Sequence, residues 1–368
     1  MLPSFRAEGN EIIEDTMEPN TASMGRPRYG KGLALLSLDG GGIRGLSSLY
    51  ILQRLMEQLD PENPPRPCDC FDLIGGTSTG GLIALMLGRL RMTVAECIDA
   101  YHELMPAIFE KAKHRYSISK GKLQGRYDGK AIEEGVKRIL EERNIRPDEL
   151  LKDPGSTCKT FVCVTRKTGS QITLFSNYPI QRRSRDLYNA VKIWEAARAT
   201  SAATTFFEPI KILHEEFVDG AFGANNPIDE VWTEAGDIWT RNTGETLEDN
   251  ISCFVSIGTG IPAFGKVDES LVGMVQTLKA IATNCESAAE RFQRHHPALD
   301  GRFFRFNVPR GLENIGLEEI NKAGDLIAAT RQYLESQSAF LDIEKFQSAF
   351  QQRQRTYPTE QRESGLSS

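Results

Sequence analysis

The sequence predicts an α/β fold, a parallel sheet with helices on its faces, and two observations carry that prediction. Leu33-Ala34-Leu35-Leu36-Ser37-Leu38 is an apolar run of strand length that ends in Asp39-Gly40-Gly41-Gly42-Ile43-Arg44-Gly45, after which Leu46 to Leu59 has helical spacing. Phe71 to Ile74 repeats the plan: a short apolar run stops at Gly75-Gly76, Ser78 follows, and Gly80-Gly81 opens a second apolar run to Leu87. Two successive strand–glycine turn–helix units argue for parallel strands joined by helical crossovers. With 368 residues, 40% of them hydrophobic and 26% charged, the chain can bury a large core.

Taken in order, residues 1–31 read as a flexible lead-in with scattered charges and Pro/Gly punctuation. Met1 to Asn20 is polar and acidic, without the apolar stretch of a secretory signal. Residues 61–68 are a proline-rich connection to the second strand. Helical periodicity covers 92–109 and 129–143, with Asp128 as N-cap of the latter. Between these two lies a basic stretch, Lys111, Lys113, His114, Arg115, Lys120, Lys122 and Arg126. It reads as a solvated loop or as a flap meeting anionic head groups. Strands are expected at Thr160–Thr165, Gln171–Phe175, Ile210–Leu213, Ile251–Ile257 and Phe303–Val308, with an alanine-rich helix over Ile193–Ala203. Leu271 to Ala282 carries one apolar helical stripe, which faces the core or docks on lipid. Residues 317–350 read as helical and 351–368 as a frayed tail. No linker splits 32–350, so it is read as one domain with 261–350 as its extension.

Composition excludes several classes. A net charge of −6 gives no support to nucleic-acid binding. Seven cysteines do not make a disulfide framework, and point to a reducing, cytoplasmic setting. Cys68-Asp69-Cys70 is too tightly spaced for zinc and has no second Cys/His pair, so neither metal nor cofactor is expected. The longest apolar run, Leu82 to Leu87, is far short of the ~20 residues of a membrane span.

The chemistry centres on Gly76-Thr77-Ser78-Thr79-Gly80, which fits the G-x-S-x-G nucleophile elbow. A serine hydroxyl needs a neighbouring base. Among the histidines only His295 and His296 follow in the chain order of an α/β-hydrolase triad, and their placement favours the cationic end of a helix. The carboxylate candidate is Asp219, where Phe217-Val218-Asp219-Gly220-Ala221 joins a short strand to a turn that Asn225-Asn226-Pro227 closes. Asp-Gly is also a common turn dipeptide; Asp128-Gly129 has the same letters and is explained by capping. Asp219 follows a strand, as Ser78 does, and strand ends along one edge of a sheet converge. The third piece, Gly40, Gly42 and Gly45, spells G-x-G-x-x-G, so a nucleotide-binding reading competes with an oxyanion cradle. The next strand ends in Ser78 rather than in a ribose-binding acid, which favours the cradle.

With these pieces in this order the sequence resembles the patatin-like phospholipase family, in its fungal or other intracellular form. The Asp39–Gly45 turn, Gly76–Gly80 and Asp219-Gly220-Ala221 match that family's motifs, and Trp194–Ala203 and Val255–Gly260 look like family segments. Ala221 stands where many members carry glycine. The resemblance implies a three-layer α/β/α sandwich with a mainly parallel sheet. It implies Ser78 as nucleophile, Asp219 as proton acceptor, and an oxyanion hole of Gly40, Gly41, Gly42 and Arg44. The implied reaction is hydrolysis of acyl esters of phospholipids or related lipids, without calcium, in transient contact with membrane surfaces. Relatives that serve as effector modules of immune-type systems supply the alternative.

Overall fold

Every residue of the first strand, β1 (Leu33–Leu38), is buried, and its side chains divide by parity. Leu33 and Leu35 join a core with Ile228, Val231 and Phe292, whereas Ala34, Leu36 and Leu38 join one with Leu46, Leu49 and Leu52. Successive side chains of a strand point to opposite faces, so a strand buried throughout is one covered on both sides. The helices Ile228–Ala235 and Cys285–His295 cover one face. Gly45–Leu59, Val94–Phe109, Lys130–Glu142, Ala323–Leu334 and Gln337–Arg355 contribute to the other. The fold is the three-layer sandwich that the motifs imply. These are the features of a computed structural model, which describes residues 32–109, 118–119, 122–123, 126–180, 185–204, 206–261 and 285–355.

The further strands are β2 (Leu73–Thr77), β3 (Ile118–Ser119), β4 (Lys122–Leu123), β5 (Lys159–Arg166), β6 (Ile172–Ser176), β7 (Ile210–Ile212), β8 (Glu215–Asp219), β9 (Ile251–Ile257) and β10 (Phe303–Phe306). The main sheet runs β10-β9-β1-β2-β5-β8-β7, with β6 also paired to β5. Strands β10, β9, β1, β2 and β5 are mutually parallel; β6 and β8 run antiparallel to β5. The pairings on β5 position the site. β2 pairs with Lys159 to Cys163, β8 with Val164 to Arg166, and β6 with Phe161 to Thr165. Because β6 overlaps both of the others, it holds one edge of β5, and β2 and β8 share the other. They run toward each other along it, β2 ending at Thr77 opposite Cys163 and β8 at Asp219 opposite Val164. Strand ends do converge here, but head-on, not side by side as expected from the sequence.

The stretch read as helical over 317–350 holds a 3-10 turn, Ile320–Lys322, and two helices separated at Glu335-Ser336. The second continues to Arg355, five residues into the segment read as a tail. Arg353 accounts for this: its Nη2 donates to Asp72 Oδ1 at 2.9 Å and Oδ2 at 2.8 Å, and its Nη1 donates to the Cys70 carbonyl. Between the helices ending at Phe109 and starting at Lys130, where a loop was expected, β3 and β4 pair antiparallel over two residues each. Arg126 pairs with Glu318 at 2.7 Å and is not a free surface cation. Lys111, Lys113, His114, Arg115, Lys120, the Lys122 side chain and Leu271 to Ala282 lie outside the described residues.

Candidate active site

After Thr77 the chain reverses through Ser78 into the helix Thr79–Ala84. Ser78 has φ 54° and ψ −125°, a strained conformation for a residue with a Cβ. It is half-buried between buried Thr77 and Thr79. A Cβ on Gly80 would strike the carbonyl oxygens of Leu38 and Asp39, so the missing side chain lets the serine's helix close on the end of β1. The strained residue is held from behind. Its N–H donates to Thr200 Oγ1 at 2.9 Å, and that hydroxyl donates to the Cys163 carbonyl at 2.8 Å. The Thr77 hydroxyl donates to the Ala224 carbonyl at 2.5 Å, tying the end of β2 to the turn after Asp219.

Asp219, 4% exposed, is fixed on three sides. Its N–H donates to the Ala202 carbonyl at 3.0 Å, its carbonyl accepts from the Thr165 hydroxyl at 3.0 Å, and Oδ1 accepts from the Ala221 N–H at 2.8 Å. Oδ2 is buried without a hydrogen-bond partner. Burial raises the carboxyl's pKa to about 7, against the opposing pull of the Ala221 N–H and of the Ser78 hydroxyl. Such a group, with one unpartnered oxygen and a serine as its interacting side chain, has what a general base needs at neutral pH.

The glycine turn lies on the other side of the serine. Gly42 has φ 58°, and a Cβ there would fall on the Leu317 backbone. The expected donors are not equivalent. The Gly40 N–H is used within the fold, donating to the Asn225 carbonyl at 3.0 Å, which takes Gly40 out of the expected oxyanion hole. The Gly41 N–H donates to Thr79 Oγ1 at 3.1 Å. The Gly42 N–H has no acceptor among the described residues, and Gly42 lines the same cleft as Ser78. Arg44 is buried at the base of the turn, its N–H donating to the Gly41 carbonyl at 3.1 Å, and burial lowers the pKa of its guanidinium. The dinucleotide reading of Gly40, Gly42 and Gly45 meets a covered turn: Ile43 N–H donates to the Leu317 carbonyl at 2.8 Å, and the Tyr101 hydroxyl to the Gly42 carbonyl at 2.6 Å.

Ser78 opens into a small cleft lined by Leu82, Met105, Ile108, Phe109, Phe206 and Phe207. An apolar wall with a few polar groups at one end suits a ligand with a hydrocarbon body and one reactive polar centre.

A family model, patatin-like phospholipase, matches residues 36–232, more than half of the chain. The chain belongs to the patatin-like phospholipase family. It is 29% identical to calcium-independent phospholipase A2-gamma of Homo sapiens over 80% of this chain and 37% of that protein. It is 29% identical to patatin-like phospholipase 1 of Plasmodium falciparum over 83% of this chain and 48% of that one. With patatin-like protein 2 of Arabidopsis thaliana the identity is 33%, over 55% of this chain and 52% of that one. The chain thus spans about two-fifths to half the length of these relatives. The crystal structure of VipD from Legionella pneumophila overlaps 83% of this chain and 67% of its own at a TM-score of 0.36 and 12% identity.

In this patatin-like chain His295 and His296, the histidines weighed as a base, lie away from the serine. His296 Nδ1 lies 2.9 Å from Glu248 Oε1 and its ring packs on Trp232 and Phe292. Glu248 precedes β9, at the opposite end of the parallel strands from Ser78. His295 is exposed beside it, and His102 and His214 are exposed elsewhere. Asp128 stands one residue before the N-cap, Gly129, where its Oδ1 accepts from the Lys130 N–H at 3.0 Å. Cys68 and Cys70 are buried free thiols, and the described residues contain no metal-binding cluster. Thr79, Thr200 and Asn225 were missed from the sequence.

Proposed function

We propose that the protein hydrolyses acyl esters of phospholipids or related lipids, through an acyl-Ser78 intermediate with Asp219 as its base. The observation that supports this is the head-on meeting of β2 and β8 on β5. It brings a strained serine and a buried carboxylate with no cation beside it together at the mouth of an apolar cleft. In this reading the acyl chain lies along Phe109, Phe206 and Phe207. Asp219 Oδ2 takes the Ser78 proton as Oγ attacks the ester carbon, and the resulting oxyanion is received by the N–H groups of Gly42 and, once the Thr79 hydroxyl turns aside, Gly41. One such donor is worth roughly 3–4 kcal/mol in the transition state. Asp219 then returns the proton to the leaving alcohol. Water, deprotonated in its turn by Asp219, attacks the acyl-serine, and the proton passes from Asp219 to the departing Ser78 Oγ as the fatty acid is released. Base and charge stabilisation both come from the protein, so the reaction takes no calcium.

All seven cysteines are free, which suits a reducing compartment, and we place the enzyme in the cytoplasm, touching membrane surfaces transiently. No helix among the described residues is long and apolar enough to cross a membrane. The test is a fluorophosphonate probe together with liposomes of phospholipid, galactolipid and neutral lipid. The wild type labels at Ser78 and releases fatty acid with or without EDTA, and Ser78→Ala does neither. Labelling that survives in Ser78→Ala, or no release from any lipid, overturns the reading.

A further inference from the structure

A buried polar cluster stands behind the glycine turn. Asp39, the residue before Gly40, is fully buried at 0% exposure. Arg305 of β10 reaches it across β9. Its Nη2 donates to Asp39 Oδ2 at 2.7 Å and to Glu286 Oε1 at 2.6 Å, its Nε donates to Glu286 Oε1 at 3.1 Å, and its Nη1 donates to Ser256 Oγ at 2.9 Å. Glu286 also accepts from Asn307 Nδ2 at 2.7 Å, and Asn307 Oδ1 accepts from the Gly260 N–H at 2.6 Å. Burial works against Arg305's charge, but the Asp39 and Glu286 carboxylates outweigh it and hold the guanidinium cationic.

Burying such ions costs several kcal/mol each, and apolar residues filling the same space commonly leave a protein as stable or more so. What apolar packing lacks is direction. A guanidinium is a rigid planar fork, and anchored by Glu286 and Ser256 it leaves the Asp39 carboxylate one place to be. Gly40 follows directly, pinned through its carbonyl by Thr259 Oγ1 at 3.1 Å and Asn225 Nδ2 at 3.3 Å. The next two N–H groups are those of Gly41 and Gly42. An oxyanion donor acts only within about 2.7–3.1 Å of the developing charge, so a small rotation of this turn matters. Glu286, Arg305 and Asn307 all lie beyond the residues that the family model matches, 36–232.

We propose that Arg305 is a positioning residue of the reaction: acting through Asp39, it sets the direction of the Gly41 and Gly42 N–H groups that receive the oxyanion. The inference rests on the acyl-hydrolase reading. It is tested with Arg305→Lys, which keeps a charge but loses the fork, and with Glu286→Gln, which loosens the fork's anchor and keeps the Asp39 pair. The substrate is a soluble p-nitrophenyl acyl ester. The inhibitor is an alkyl trifluoromethyl ketone, which Ser78 Oγ attacks to give a tetrahedral oxyanion as the serine proton passes to Asp219.

In Arg305→Lys, kcat falls about tenfold or more, part of the roughly 10²–10³ that a whole oxyanion donor is worth. The ketone's Ki rises by a similar factor, while KM and the acid limb of the pH profile stay where they are. Glu286→Gln shows the same pattern more weakly and decides the matter if Arg305→Lys does not fold. A folded variant with unchanged kcat and Ki, or with kcat lowered and Ki unchanged, overturns the positioning role. A wild type that turns over neither ester nor lipid instead removes the hydrolase reading beneath it.

Discussion

Asp39 and Asp219 each close a strand beside Ser78, each is buried, and burial raises the pKa of each. They differ in company. Asp39 meets a guanidinium at 2.7 Å, with the Cys285 thiol as its other side-chain contact. Asp219 meets no cation; the groups that favour its ionised form are one backbone N–H and the Ser78 hydroxyl. A buried carboxylate locked to a cation is a strut, whereas one left with a neutral hydroxyl is a proton acceptor. In this molecule, burial alone does not tell the two apart. The partner does.

The largest effect separating them is expected at Asp219. Asp219→Asn keeps the shape and removes the base, lowering kcat by about 10²–10⁴-fold, the usual span for a general base. It also stabilises the fold in a pH-dependent way. A carboxyl raised from 3.8 to about 7 contributes fully below pH 3.8, and that contribution is lost as pH rises through about 7. The interval is about three pH units at about 1.4 kcal/mol each, so the variant gains up to about 4 kcal/mol on the wild type between pH 4 and pH 8. Urea unfolding at the two pH values measures it; equal differences at both would mean that Asp219 is not held near 7.

Asp39→Asn is expected to do the reverse. It leaves Arg305 buried with Glu286 alone, and breaking a buried pair costs about 3–5 kcal/mol. The loss is placed near the lower figure because Glu286 remains. Chemical denaturation reads this directly, and a variant as stable as the wild type would show that Asp39 is no strut.

A subtler difference lies in the pH profile. Wild-type kcat/KM should fall about tenfold per pH unit below about 7, as Asp219 takes up its proton. Asp39→Asn should keep that midpoint, since Asp39 is not among the groups acting on Asp219. A midpoint that moves with Asp39 would join the two carboxylates into one titrating unit.

Much of this was legible in the sequence because it is written locally. Ser78 sits in a pentapeptide whose glycines only a tight turn needs, and β1 and β9 were readable as mostly apolar runs of strand length. The long-range pairings were not. That β8 runs against β5 depends on the loops around it, so the head-on approach of Thr77 and Asp219 had no local signature. Arg305 lies 266 residues from Asp39, and nothing near Phe303–Phe306 marks its arginine as belonging to the glycine turn. The glycines of that turn announced a cradle, but which N–H groups stay available is decided by Asn225 and Thr79, whose letters look like ordinary turn and cap residues.

The smallest effect is expected at the histidines, and it tests whether the comparison of the two aspartates is the right one. His296 is held by Glu248 and packs on Trp232 at a ring distance of 4.4 Å, in a cluster that precedes β9. Ser78 follows β2, and β2 and β9 are both parallel to β1, so the two lie at opposite ends of the sheet. The double variant His295→Asn/His296→Asn should therefore keep kcat/KM within about twofold, and lose up to about 1 kcal/mol of stability with the partly exposed Glu248 pair. A steady-state assay on the soluble ester decides it. A hundredfold fall in kcat/KM without unfolding would make a histidine the base, and would leave Asp219 as a second buried strut.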